Sequence, residues 1–248
     1  MLLAMPLVVG EALVVSVTPF GERDALVRLV CRERGLLRGL VKGGRGKASG
    51  AVLQPFNTVR YEHFRRLEGQ LGSLTLEMVR SRAGLWLGRP TGSAVVAYLS
   101  EILGEILPEE HGYVGLVAKI EDLLAGDLGW REVAKFELFL LELAGYGLRL
   151  QPHEAVPCLQ ESALAFVSPA SGRAVPRLVA QGYEARLLPL PAVWGGVACA
   201  EEEDFGRCWQ LCGHFLNKAL HGRRLVARER LRGVLVPASE IAVGKMVA

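Results

Sequence analysis

Histidine and cysteine are scarce in this sequence, five of each in 248 residues, and neither is arranged for chemistry. His63, His111, His153, His214 and His221 fall in no nucleophile or metal-ligand spacing. Cys31, Cys158, Cys199, Cys208 and Cys212 are an odd number, scattered through a chain long enough to need no cross-links. That pattern suits free thiols in a reducing cytoplasm. Cys208-x3-Cys212-x-His214 places two thiols on one helix face, but a zinc site needs a fourth ligand. Trp209, Phe215 and Leu216 mark the stretch as a packed helix instead. Neither a metal nor any other cofactor is expected.

Long apolar runs are also missing. None approaches the roughly 20 residues that cross a bilayer. The N-terminal MLLAMPLVVG has no basic segment before it and is interrupted by Pro6 and Glu11, so it reads as the approach to a strand. A cytoplasmic chain without a membrane partner is expected. The glycine-rich GLVKGGRGKASG (39–50) lacks the spacing of a nucleotide-triphosphate loop. With Lys47 as its lysine, such a loop needs glycine where Val41 stands and Ser or Thr where Ala48 stands. The carboxylates at Glu109-Glu110 and Glu201-Glu202-Glu203-Asp204 read as solvated faces or helix-start charges rather than an acid/base pair. No catalytic constellation emerges, and the expectation is a protein that is not an enzyme.

What the sequence does have is core-forming material and unevenly placed charge. Half of its residues are hydrophobic, enough for one large domain or two smaller ones. The net charge of +3 hides a contrast: residues 1–82 carry +6, 83–157 carry −6 and 158–248 carry +3. A polyanion is drawn to the first region and repelled by the second.

The hydrophobic period changes along the chain in the same places. Residues 8–17, 25–32, 36–43, 51–66 and 71–80 read as five short strands with turn signals about every ten residues, the pattern of a small closed sheet. The commonest five-stranded solution is the OB-type barrel. From about 93 the period becomes helical, over 93–107, 113–126, 130–145 and 205–220. Residues 147–195 carry six prolines and read as irregular. The basic stretch 223–232 and a loose tail close the chain. The expected class is α+β: an OB-type barrel domain over 1–82 and a mainly helical region over 83–248.

The basic residues have an order within the strands. Arg28 and Arg32 share one parity and Arg38 and Lys42 another, and side chains two apart point to the same face. The second and third strands are where OB folds usually take single strands. With Arg34 nearby, and with Lys42, Arg45 and Lys47 in a mobile glycine-rich loop, they can follow a phosphate backbone. The competing reading of the loop is a solvated hairpin with no partner. Arg60, Arg65 and Arg66 interleave with Tyr61 and Phe64, a mixture that stacks bases and holds phosphates. At least one parity must point inward, so one of the two aromatics belongs to the core.

In order along nearly the whole chain, LVVSV (13–17), FGERDALV (20–27), ERGLLRGLVKGGR (33–45), LQPF (53–56), LLELAGYGLRL (140–150), FVSPASGRAV (166–175), LLPLP (187–191) and HGRRL (221–225) resemble the RecO DNA repair family in its alphaproteobacterial form. The resemblance implies an N-terminal OB domain that binds single- and double-stranded DNA and anneals complementary strands. It also implies contact with RecR and with the single-stranded-DNA-binding protein, so that RecA loads indirectly. Some members carry a four-cysteine zinc module after the GYGL-type segment. Here only Cys158 stands at such a position and Glu161 replaces its pair-mate, so no zinc is expected. An acidic, apolar-ended partner tail needs cations beside apolar side chains. Arg131 and Lys135, four apart on the helix that carries Phe136 and Phe139, supply a candidate groove. Pairing of both cations with local acids such as Glu132 is the alternative. Two other functions remain open on the residues alone: an RNA-binding OB protein and a protein-interaction scaffold.

Overall fold

A computed structural model describes residues 7–66, 70–151 and 164–236. The chain forms two compact units. One holds the residues up to Leu128 together with Ala227–Leu231, the other Gly129–Val226 and the residues from Arg232 on.

The first unit is built on a closed five-stranded barrel, β1 (Val8–Phe20), β2 (Asp24–Cys31), β3 (Gly35–Val41), β4 (Thr58–Phe64) and β5 (Gly72–Arg80), in the order β1-β2-β3-β5-β4. A short helix α1 (Lys47–Val52) joins β3 to β4. This is the OB-type barrel expected from the strand pattern. Alternation explains its interior: Ala25, Val27, Leu29 and Cys31 of β2 and Val59 and Tyr61 of β4 meet Ala12, Val14, Leu37 and Leu74 in one buried cluster. A bulge between Val14 and Ser16 lets the long β1 pair with β4 along its first half and β2 along its second. The seam is a short parallel contact of Gly39 and Leu40 with Gly72 and Ser73. Both glycines are needed there, because a Cβ on Gly39 would meet Leu74 and one on Gly72 would meet His63.

Helices α2 (Gly92–Ile106) and α3 (Leu116–Ala125) complete this unit. α2 covers part of the barrel's outside: Ser100 Oγ donates to the Val15 carbonyl at 2.7 Å, and Leu13, Val15, Val30 and Leu36 are buried although they are not in the interior cluster.

The second unit packs α4 (Trp130–Leu143) against α5 (Glu201–Ala219), with a three-stranded sheet of β6 (Leu164–Val167), β7 (Ala174–Pro176) and β8 (Leu188–Pro189) in the order β7-β6-β8. Asp204 near the start of α5 accepts from the backbone N–H groups of Ala192 and Val193 at 2.5 and 3.0 Å. Residues Val226–Leu235 form α6.

Several local expectations change. Residues 147–195 are not wholly irregular, because they contain β6 to β8. Strands of two to four residues bounded by prolines are too short for alternation to show. The fourth strand starts at Thr58 rather than 51, after α1 and a turn in which Phe56 has φ 62. Most of the basic stretch 223–232 belongs to helix α6, which runs through Leu235, and the tail expected to be loose lies outside the described residues from 237 on. Among the described residues no helix is long and apolar enough to cross a membrane.

Candidate nucleic-acid interface

The glycine-rich stretch 39–50 is not a single open loop, since it ends β3 and starts helix α1 at Lys47. It is pinned to the β1–β2 turn by backbone and side-chain bonds. Gly43 N–H donates to Asp24 Oδ1 at 2.8 Å, Arg45 N–H to the Arg23 carbonyl at 3.0 Å, and Arg45 Nη1 to the carbonyls of Gly21 and Glu22, both at 3.0 Å. Ser49 Oγ on α1 donates to the Gly43 carbonyl at 3.2 Å. Gly43, with φ 65, makes the turn that side chains other than glycine rarely adopt. Arg45 thus acts as a strut, while Arg23, Lys42 and Lys47 are exposed around it. None of these three has an ion-pair partner among the described residues. Arg23 was not among the residues singled out from sequence. Its signal was present in the turn-like TPFGERD (18–24), since a hairpin turn shares an end of the barrel with the loop leaving the next strand.

The other expected cations are distributed differently. Arg28 and Arg38 are cross-strand partners on the outer face of β2 and β3. Arg28 is drawn against α2: a Cβ on Gly104 would lie 3.0 Å from its Nη1, and its Nε is buried without a hydrogen-bond partner among the described residues. Arg38 Nε pairs with Glu109 at 3.0 Å. The face that OB folds commonly offer to single strands is therefore partly filled by helix and acid. Arg32 lies past the end of β2 and pairs loosely with Glu121 at 3.8 Å. Arg82, only 12% exposed, binds the same glutamate at 2.5 Å and donates to Thr58 Oγ1 at 2.9 Å. These groups and Arg80 line a cleft of about 200 Å³. Arg60 sits 3.9 Å from Glu77 on the outer face of β4 and β5. Tyr61 is the core aromatic, 3% exposed, and Phe64 is the outward one, 44% exposed.

A second basic group forms where the β2–β3 turn meets the end of β4. Arg34 and Arg66 are exposed, and Arg65 holds Glu110 through both guanidinium nitrogens, one bond measuring 3.1 Å. His63 lies beside them. Burial, with help from Arg65 and Arg34 and against Glu110, holds its pKa below the ordinary value. A folded-state histidine with a lowered pKa resists protonation that the unfolded chain accepts, so stability is lost as pH falls below about 6.5 toward the lowered value. His63→Phe is expected to flatten the loss of barrel stability between about pH 7 and pH 5 in denaturant titrations. An unchanged pH profile would remove His63 as its source.

The barrel's interior thiol, Cys31, is buried, 3% exposed. Burial raises Cys31 to about 11, opposed by a hydrogen bond from Tyr61 and the charge of Arg34. Burial likewise raises Cys208 on α5. Among the described residues no group of three or more His, Cys, Asp or Glu side chains is placed to hold a metal, and Cys158 lies outside them.

In the second unit the structure pairs both cations of the expected tail groove. Arg131 Nη2 bonds Glu201 at 3.0 Å and its guanidinium covers the Trp130 ring at 4.8 Å, while Lys135 lies 3.8 Å from Glu132. Phe136 is buried and Phe139 partly so, their rings 6.2 Å apart.

Comparison with known proteins bears on the same region. The family model described as "Recombination protein O N terminal" matches residues 5–82, the span of the barrel. A "DNA repair protein RecO" of Paracoccus denitrificans is 40% identical over 215 residues, covering 85% of this chain and 86% of the relative. Another, of Granulibacter bethesdensis, is 35% identical over 224 residues, covering 87% and 88%. A third, of Cereibacter sphaeroides, is 36% identical with coverage of 92% and 98%. The chain belongs to the RecO family. In this RecO-family barrel Arg23, Lys42 and Lys47, exposed and without acidic partners among the described residues, gather at the pinned end, and that end is the candidate interface.

Proposed function

We propose that this chain is a DNA-binding recombination mediator in DNA repair, acting without catalysis of its own. The observation that carries the reading is the platform of Arg23, Lys42 and Lys47, exposed and without ion-pair partners among the described residues, on a scaffold that Arg45 ties together. Preformed cations lose little freedom when they meet phosphates, and they read backbone rather than sequence. RecO relatives are named for DNA repair, and their similarity over most of the chain supports the same role here. The finer roles rest on the family resemblance: binding of single- and double-stranded DNA, strand annealing, and action with RecR and the single-stranded-DNA-binding protein to help RecA load.

The test is binding of a labelled oligothymidylate to the full chain across a salt series. The logarithm of affinity is expected to fall linearly with the logarithm of salt, by roughly 0.7 for each phosphate contact. Affinity that ignores salt would sink the reading. An RNA of equal length that binds tighter than DNA would favour an RNA-binding protein instead.

The partner tail is proposed to meet α4. An acidic peptide would replace Glu201 on Arg131 and Glu132 on Lys135, using Phe139 as its apolar neighbour. Arg131→Ala with Lys135→Ala is expected to weaken a labelled acidic tail peptide about fivefold or more while leaving oligonucleotide binding unchanged. Equal peptide affinity in the double variant would place the contact elsewhere.

A further inference from the structure

We infer that Glu109 and Glu110 stand in for two backbone phosphates on the flank of the barrel, screening Arg38 and Arg65 until a nucleic-acid strand displaces them. The inference rests on the DNA-binding reading above and adds a second contact surface and its control.

The segment that carries the two acids is docked by its backbone. Leu36 and Glu109 form a parallel bridge, and Glu110 N–H donates to the Leu36 carbonyl at 2.8 Å. Gly35, with φ 64, leaves room for the His111 carbonyl, and Gly112 for that of Glu33; a Cβ at either would collide. Anchoring through main chain leaves the two carboxylates free to leave their arginines without undocking the segment. Glu110 has φ 58, a conformation costly for any side chain but glycine. Its hold on Arg65 through both oxygens is the interaction that accompanies this strain.

The chemistry of the pairs matches that of the ligand they would yield to. A planar guanidinium accepts a carboxylate and a phosphate in the same forked geometry. Arg38 and Glu109 are 47% and 36% exposed, a solvated and exchangeable pair, while Arg65 is 21% exposed and its Glu110 40%, so that pair opens to solvent on its carboxylate side. The pair of Arg82 with Glu121 is different, 12% and 24% exposed and tied to Thr58, and reads as structural.

Position selects a polyanion over an acidic peptide. Arg38 lies on the outer face of β3 three residues before its end at Val41, and Lys42 follows directly in the turn where the pinned platform begins. A strand lying on the platform therefore meets Arg38 next, and a repeating charge suits such a row.

The test compares the full chain with Glu109→Gln, Glu110→Gln and the double variant, using a labelled oligothymidylate across a salt series. Glutamine keeps the shape and removes the charge. Asp127→Asn with Glu142→Gln, exposed acids away from these pairs, makes the same change in net charge. The double variant is expected to bind at least fivefold tighter than the control, with a salt slope steeper by about 1.4 for two added contacts. Equal affinity and slope in variant and control would overturn the inference while leaving the DNA reading intact. Binding by none of the proteins at low salt would overturn both. Should Glu110→Gln fail to fold by circular dichroism, Glu109→Gln alone still decides, with half the slope change expected. A labelled acidic peptide that gains affinity when the oligonucleotide does not would assign the surface to a protein partner and also overturn the inference.

Discussion

Replacing Arg23, Lys42 and Lys47 together by alanine is expected to weaken single-stranded DNA binding by about tenfold to a hundredfold near 50 mM salt, and to lower the salt slope by about 2. The three cations project from two segments that hydrogen bonds lock into one end of the barrel, so they meet a strand as a set. All are exposed and have no ion-pair partner among the described residues, so their loss removes charge without stripping a described partner. The thermal midpoint is expected to move by less than about 2 °C, as for other surface substitutions. Arg45→Ala separates charge from scaffold. It removes one charge, but it also releases the carbonyls of Gly21 and Glu22, so the loss should exceed that of Lys42→Ala or Lys47→Ala alone. Anisotropy titrations with two oligonucleotides of unrelated sequence decide the matter. A triple variant that binds like the parent would remove the platform from the interface, and loss on one sequence alone would mean that bases are read.

The second large effect is expected at Asn57, which is fully buried where α1, β1 and β5 converge. Its Nδ2 donates to the Ala51 carbonyl at 2.9 Å and its Oδ1 accepts from Arg82 N–H at 2.8 Å, while its own carbonyl accepts from Val14 N–H at 3.0 Å beside the β1 bulge. Alanine leaves the part-buried Ala51 carbonyl and Arg82 N–H without their partner, at about 1–2 kcal/mol each, and a cavity where the fully buried amide sat. A loss of about 3–4 kcal/mol follows, roughly 10 °C in the midpoint of the first unit. Asn57→Asp keeps the acceptor for Arg82 N–H but loses the donor to Ala51, and is expected to be destabilising for that second reason. Urea unfolding followed by far-ultraviolet circular dichroism measures both. Stability within about 0.5 kcal/mol of the parent in Asn57→Ala would show that these bonds do not hold the barrel's end together.

The pairing at Asn57 shows why part of this fold could not be read along the chain. Helix α1 has six residues, with Gly46 just before it and Gly50 inside it, and no helical period can be seen in so short a piece. It is held by contacts that follow it in sequence, from Gln54 Nε2 to the Gly50 carbonyl and from Asn57 to Ala51. The small sheet of β6, β7 and β8 was hidden for the same reason of length. The five barrel strands were legible because each spans seven residues or more between turn signals, and the alternation along β4 and most of β2 marks their inward faces.

The sequence by itself determined the barrel, the helical period beyond it, the failure of the glycine-rich segment to form a nucleotide loop, and the excess of positive charge in residues 1–82. It also carried the family, through short motifs in a fixed order. Only the tertiary structure decided which of those charges remain available. Arg65 meets Glu110 across 45 residues and Arg82 meets Glu121 across 39, while α2 closes over Arg28. Parity along a strand is a local property that each residue's neighbours impose, whereas the partner of a surface charge is chosen by whichever distant segment the packing of apolar faces brings beside it. The same basic pattern therefore yields a strut at Arg45, screened cations at Arg38 and Arg65, and, among the described residues, cations without acidic partners at Arg23, Lys42 and Lys47.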